Sequence, residues 1–326
     1  MEPRAQLAGK DLAGADLAGA DLAGAAVGQA LSPRRARRAR AARATRHLPL
    51  APALIMLFLF FLGPVLWSIY SSFTNAALTG DGAQNPQWVG LDNFRRLFSD
   101  PNVTNGIWLT VVFVLGSAVI GQNLLGLAIA LLMRGRGRWV RGVVGGIVVS
   151  AWVLPEVVSA IIWYAFLGQN GTLNQLMKAV GMSGQDWLYS SPMLAVIIAN
   201  VWRGTAFSML VYNAALDDVP TDLQEAAELD GATGWRKLWS VILPLIRSSI
   251  MTNLMLITLQ TLSVFTLIYV MTAGGPGFAS STLPVLMYQQ AFKFSEVGYG
   301  TAISLLLLVI GAVFSFVYVR VLKPEA

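Results

Sequence analysis

The stretch that decides how this chain folds runs from Glu225 to Pro244, EAAELDGATGWRKLWSVILP. It is polar, yet it lies between two apolar runs, near Pro192 to Leu216 and Ser248 to Ala273. Each is long enough to cross a bilayer, for which a helix needs about 20 apolar residues. Membrane spanning alone calls for no such insert. Pro220 and Thr221 open a first helix, with Thr221 as N-cap and Gln224 completing a capping box, and Gly231 stops it at the C-cap. Asp222, Glu225 and Glu228 recur along one side of this rod, while Leu223, Ala226 and Ala227 leave a small apolar surface open to close approach. Thr233 caps a second helix through Trp235, Leu238 and Trp239, and Pro244 breaks or kinks the chain as it enters the next apolar run. Interfacial helices carry Lys and Arg on their polar face, and anionic lipid would repel this acidic first helix. A protein docking surface fits the sequence better than a helix pair lying on headgroups.

Outward from this insert, the rest of the chain belongs in a membrane. Of 326 residues, 55% are hydrophobic and 12% charged, and the mean hydropathy is +0.60, well away from the balance of a soluble globular domain. Six runs are expected to span: Leu48 to Phe73, Gly106 to Met133, Val143 to Leu167, Pro192 to Leu216, Ser248 to Ala273 and Val297 to Leu322. The predicted class is therefore all-α, a polytopic membrane protein with six transmembrane helices. Basic residues put one set of connections inside: the N-terminal segment, the Arg134/Arg136/Arg138/Arg141 turn, the Arg236/Lys237/Arg247 loop and the Arg320/Lys323 tail. The opposite side holds Arg95, Arg96, Lys178 and Lys293. Both termini and the Glu225 loop are then expected in the cytoplasm. The six loop acids Asp217, Asp218, Asp222, Glu225, Glu228 and Asp230 do not alter this, because the rule counts Lys and Arg rather than net charge.

Residues 1–46 contain three tandem DLAGA units (Asp11 to Ala25) and then seven arginines between Arg34 and Arg46. Three units are too few to bury a solenoid core, so the segment reads as a disordered basic cytoplasmic leader. The membrane-spanning body is expected over 47–326, with the polar loop at 217–247. The following apolar run is full length and no A-x-A site follows it, so the leader reads as an anchor rather than a cleaved signal peptide. The net charge of +6 is concentrated in that block with no interleaved aromatics, which points to membrane orientation and not to nucleic acid. Zero cysteines remove disulfides, thiolate metal sites and a cysteine nucleophile, and the single His47 leaves no imidazole for catalysis.

The loop is similar to the EAA loop of binding-protein-dependent ABC importer permeases: Glu-Ala-Ala, three residues, Gly, nine residues, Ile, one residue, Leu-Pro. Glu225, Ala226, Ala227, Gly231, Leu243 and Pro244 match, and Val241 stands for the usual Ile. The resemblance extends over most of residues 50–322 through SIYSSFT, WVGLDNFRRLF, VWRGTAF and MTAGGPGFASSTLPVLMYQQAF, which look like sugar-uptake permeases. Gly274, Gly275 and Pro276 resemble the maltose F-type and glycerol-phosphate A-type subunit, which implies a heterodimer with a second homologous permease. The DLAGA leader has no counterpart in the pattern. The resemblance implies a type I ABC importer permease of the bacterial inner membrane, served by two ATP-binding subunits and an extracytoplasmic solute-binding protein and carrying a di- or oligosaccharide or a related sugar. It implies that Glu225, Ala226, Ala227, Glu228, Asp230, Gly231 and Pro244 couple this chain to the ATPase. ATP and Mg would be held by that partner; this chain has no G-x-x-x-x-G-K-[ST] loop, and no cofactor is expected in it.

Polar residues at membrane depth face an interior or a cavity by default. Gln122 and Asn123, Glu156, Trp202 and Arg203, and Asn253 and Gln260 lie near the middle of four consecutive runs. Two readings fit. In one they line a path for sugar hydroxyls, with Trp202, Tyr212 or Trp163 as an apolar platform. In the other, Glu156 and Arg203 pair and the amides join helices, while Gly142 and Gly146 mark close packing. An ion-coupled secondary transporter using Glu156 and Arg203 is the alternative function, but it leaves the Glu225 loop without a role. An intramembrane enzyme lacks a nucleophile and base.

Overall fold

The computed structural model describes residues 50–322, so the DLAGA and arginine leader lies outside the described residues. The chain divides into two compact units, Met1–Val65 and Leu66–Ala326. Among the described residues every regular element of any length is helical. Four helices among the described residues are long and apolar enough to cross a membrane: α1 (Pro52–Ser72), α3 (Pro101–Met133), α7 (Pro192–Asp217) and α13 (Val297–Arg320), with α2 (Asp92–Ser99) before α3. The remaining two expected spans are not straight. α4 (Arg138–Val153) and the segment beginning with α5 (Glu156–Leu167), followed by α6 (Thr172–Ala179), meet at 103°; α9 (Gly234–Leu245) and α10 (Arg247–Leu262) meet at 69°. If each bent pair is one span, the total is six.

The continuous helices expected over Val143–Leu167 and Ser248–Ala273 are therefore corrected. Leu154 is extended (φ −59°, ψ 137°) because Pro155 disfavours helical backbone in the residue before it. The fifth run breaks at Ser263 and resumes as α11 (Thr266–Thr272), which ends on Ala273 in the left-handed region. Pro244 sits inside α9 and the break falls two residues later, at Ile246.

Three cores hold Leu66–Ala326 together. Phe113, Ala160, Ala199, Leu267 and Val285 gather α3, α5, α7, α11 and α12 (Leu283–Tyr288). Leu97, Val103, Leu286, Tyr299 and Ile303 join α2, α3, α12 and α13. Ala130, Tyr212, Leu216, Val219, Ile242 and Ile246 join the ends of α3 and α7 to α9. The central crossing, α3 against α7, depends on Gly126: a Cβ there would lie 2.4 Å from the Ser208 Cβ and 2.8 Å from the Met209 amide nitrogen. Gly142 and Gly146, by contrast, face open space, so the close packing expected of that pair is not made within this chain.

At the end of the fold remote from the Glu225 loop, Arg96 donates to Glu296 Oε1 at 2.9 Å, forms an ion pair with its Oε2 at 2.8 Å and lies 4.0 Å from the centre of the Tyr299 ring. The hydrogen bond to Glu296 is the main reason the Arg96 guanidinium is held above its ordinary pKa. Tyr299 in turn donates to Asp100 Oδ2 at 2.8 Å, and Asn93 Nδ2 donates to the carbonyls of Ser72 and Thr74. This clasp fixes α2 between the ends of α1 and α13.

Candidate coupling surface and transport path

The Glu225 loop is a helical hairpin, α8 (Thr221–Leu229) and α9. Its start differs from expectation. Pro220 precedes the helix, Thr221 caps nothing, and Gln224 turns back so that its Nε2 donates to the carbonyls of Val219 and Pro220 at 3.2 and 3.4 Å. Proline has no N–H to offer to the reciprocal half of a capping box. The stop is as read. Gly231 takes φ +77°, its amide reaches the Glu228 carbonyl at 3.0 Å, and the Ala232 amide reaches Ala227 at 2.9 Å. Those two bonds form a Schellman motif, which needs a left-handed residue where glycine stands.

The second helix is capped as expected, with Thr233 Oγ1 accepting from the Arg236 amide at 3.4 Å. Lys237 pairs with Glu228 across the hairpin. Asp222, Glu225 and Ala226 remain exposed on α8, as does Asp230 at its C-cap, with Ala227 half-buried. Leu229, which the sequence reading passed over, is 90% exposed at the tip. The signal was there: a leucine between acids, one residue short of the glycine stop, has no core to face. The roots of the hairpin are the opposite. Val219, Ile242 and Ile246 are buried against Tyr212 and Leu216, and Arg141 reaches Asp217 at 3.4 Å.

The midplane polar residues separate into groups. Gln122 is buried and its Nε2 donates to the Asn200 carbonyl at 3.2 Å, while Asn200 Nδ2 donates to Ser117 Oγ at 2.9 Å. Asn123 Oδ1 accepts from the Tyr212 hydroxyl, and Asn253 Nδ2 lies within hydrogen-bond distance of Asn123 Oδ1, Ser208 Oγ and the Tyr212 oxygen, at 3.3, 3.1 and 3.0 Å. These contacts join α3, α7 and α10. Tyr212 is fully buried and offers no platform. Asn200, Ser117 and Ser208 completed these networks unforeseen, because short polar side chains in apolar runs carry no individual signal.

Glu156 and Arg203 do not pair. Glu156 stands in the first turn of α5, not half-way along a straight span, and its Oε1 accepts from the Leu267 amide at 3.1 Å, at the N-terminus of α11. An acid suits the positive end of both helices. Arg203 is half-buried, and its Nε has no hydrogen-bond partner among the described residues. Beside it Trp202 is 38% exposed and meets Trp163 edge-on at 6.0 Å. Gln260 is exposed on α10.

The family model described as the binding-protein-dependent transport system inner membrane component matches residues 122–323, a span holding the hairpin, the bent pairs and, apart from Ser117, both polar networks. The chain belongs to that family. The permease is 33% identical over 280 residues to the trehalose/maltose transport system permease protein MalF of Thermococcus litoralis, covering 84% of this chain and 92% of that one. It is 31% identical to the sulfoquinovosyl glycerol transport system permease protein SmoG of Agrobacterium fabrum, covering 85% and 89%. In fold it is similar to a chain of a bacterial ABC transporter involved in the import of the acidic polysaccharide alginate, with a TM-score of 0.75 over 89% of this permease at 21% identity. The all-α, type I ABC importer permease fold expected from the sequence is thus the fold of this chain.

Proposed function

We propose that this permease, paired with a second homologous subunit, forms the path of an ATP-driven importer for a carbohydrate delivered by an extracytoplasmic binding protein. Two ATP-binding subunits drive it and hold the ATP and Mg. The observation that carries the reading is the α8–α9 hairpin: a rigidly stopped acidic rod with an exposed leucine at its tip, whose roots run into the buried core around Tyr212. A rod that is exposed at one end and packed at the other can transmit displacement. In this reading Glu225, Ala226, Ala227, Asp230 and Gly231 meet the ATPase, Glu228 pairs with Lys237 across the hairpin and Pro244 shapes its return to the membrane.

Both termini and the hairpin lie in the cytoplasm, following the Lys and Arg asymmetry, with 1–46 as the leader and 47–326 as the transport body. The carbohydrate class rests on the relatives, among which the trehalose/maltose permease covers most of the chain. For the path, Trp202, Arg203 and Gln260 keep accessible surface or free hydrogen-bonding capacity, whereas Gln122, Asn123 and Asn253 are engaged in helix-to-helix bonds and Glu156 on α11. The test is ATPase activity of the reconstituted complex with loaded binding protein. Glu225→Lys is expected to abolish stimulation while the permease still inserts; normal stimulation by the variant would remove the hairpin from the coupling role.

A further inference from the structure

At the end of the bundle opposite the hairpin, which the orientation above makes extracytoplasmic, the permease has a cavity of about 810 Å³ between the outer ends of α5 and α11. Among its lining are Tyr164, Gln169, Asn170, Asp186, Tyr189 and Tyr269. None of the midplane polar residues lines it.

The loop that builds it is rigid for a definable reason. Asn174 is buried, and its Nδ2 donates to the carbonyls of Gly168, Gln169 and Gln185 at 3.1, 3.1 and 2.7 Å. Its Oδ1 accepts from the Gln185 amide at 3.0 Å and from Trp187 Nε1 at 3.1 Å. One side chain thus ties both sides of the α5–α7 connection together. The side chains this frame presents are unspent: those of Gln169, Asn170 and Asp186 have no hydrogen-bond partner among the described residues, nor does Asp186 form an ion pair there. Tyr164 and Tyr189 are 53% and 68% exposed. A mixed cavity with a few convergent polar groups on a fixed scaffold is the form of a ligand site.

We propose that this cavity is a vestibule that holds an uncharged saccharide before it enters the path. The inference rests on the carbohydrate reading and the orientation given above. A pyranose has an apolar C–H face, which suits the exposed tyrosine rings, and hydroxyls around its edge, which suit amides that donate and accept and a carboxylate that accepts. Charge decides against anionic sugars. Asp186 is the one formal charge among the lining residues, and Lys178 lines a smaller pocket adjoining it, where it shares Asp186. An anionic ligand would meet the carboxylate in the larger cavity with no cation lining that cavity to offset it.

The test uses the assembled transporter in nanodiscs, without binding protein, and reads saturation transfer by NMR to trehalose, to maltose and to glycerol 3-phosphate as the anionic probe. Transfer to at least one disaccharide and none to the anion is expected, and Tyr164→Ala/Tyr189→Ala is expected to cut the disaccharide signal at least about fivefold. Uptake into proteoliposomes with binding protein is measured in parallel, together with retention of the unloaded binding protein by the complex. If the wild type takes up disaccharide and the variant keeps full saturation transfer, the vestibule is overturned and the importer reading stands. If the variant instead loses its hold on the unloaded binding protein while keeping saturation transfer, the face is a protein contact and the proposal fails. If the wild type takes up no neutral sugar, the carbohydrate reading itself fails.

Discussion

Tyr212 and Asn253 are hydrogen-bonded at 3.0 Å inside the bundle, one on the helix that runs into the α8–α9 hairpin and the other on the helix that leaves it. Both also engage Asn123 on α3. The two roots of the hairpin are thereby tied at one level to a third helix, so displacement of the hairpin is shared by α7 and α10. Interhelical hydrogen bonds in membranes average about 0.6 kcal/mol each. Tyr212→Phe, which removes two, is expected to cost about 1 kcal/mol. Asn253→Leu strands several buried partners and is expected to cost about 1–3 kcal/mol. Thermal unfolding in detergent checks the order; equal stability of both variants and the wild type would mean that the network contributes nothing.

The α3–α7 crossing gives a sharper test. Gly126→Ala places a methyl where the α7 backbone already is, and relief requires moving main chain rather than a side-chain tip. Overpacking of this kind costs about 1–3 kcal/mol. Gly142→Ala adds the same methyl to open space and gains helix propensity of about 0.5–1 kcal/mol. The first variant is expected to melt earlier than the wild type as an isolated subunit and the second no earlier.

What the sequence carried, and what it hid, follows from the range of the interactions involved. The end of α8 was readable because a Schellman stop is local: Gly231 and its neighbours supply everything it needs. The break at Leu154 was written in Pro155, but a run of apolar residues on both sides masked it. The break at Ser263 has neither proline nor glycine and was not readable. Glu156 and Arg203 were matched by depth and charge, while the structure gives Glu156 a backbone amide that exists only because α11 begins there. Partners of Gln122, Asn123 and Asn253 could not be named either, since they depend on how closely α3 approaches α7, which Gly121, Gly126 and Gly204 together permit.

Leu229 separates docking from folding. It is 90% exposed at the tip of α8, so Leu229→Asp removes no core contact and is expected to leave the melting temperature unchanged. Its cosedimentation with the ATP-binding subunit is expected to fall at least about tenfold if the tip is buried in that interface. Gly231→Val acts differently. A branched residue at φ +77° costs about 1–2 kcal/mol, which loosens the hairpin itself, so coupling is expected to weaken together with protection of the α8 amides from hydrogen exchange.

The separation of Glu156 from Arg203 makes a prediction for a double-mutant cycle. Were the two a mutually neutralising pair, removing one would leave the other charged and unpaired, and removing both would restore much of the loss. In the structure they share no partner: Glu156 serves the Leu267 amide, and Arg203 leaves its Nε unpaired. Glu156→Gln keeps an acceptor oxygen for that amide and is expected to be mild, whereas Glu156→Leu strands the amide and is expected to cost about 1–3 kcal/mol. Arg203→Gln is expected to change uptake more than stability. The losses of Glu156→Leu and Arg203→Gln are expected to add within about 0.5 kcal/mol in unfolding experiments. A coupling well above that would place the two side chains in contact and return Arg203 to a structural role.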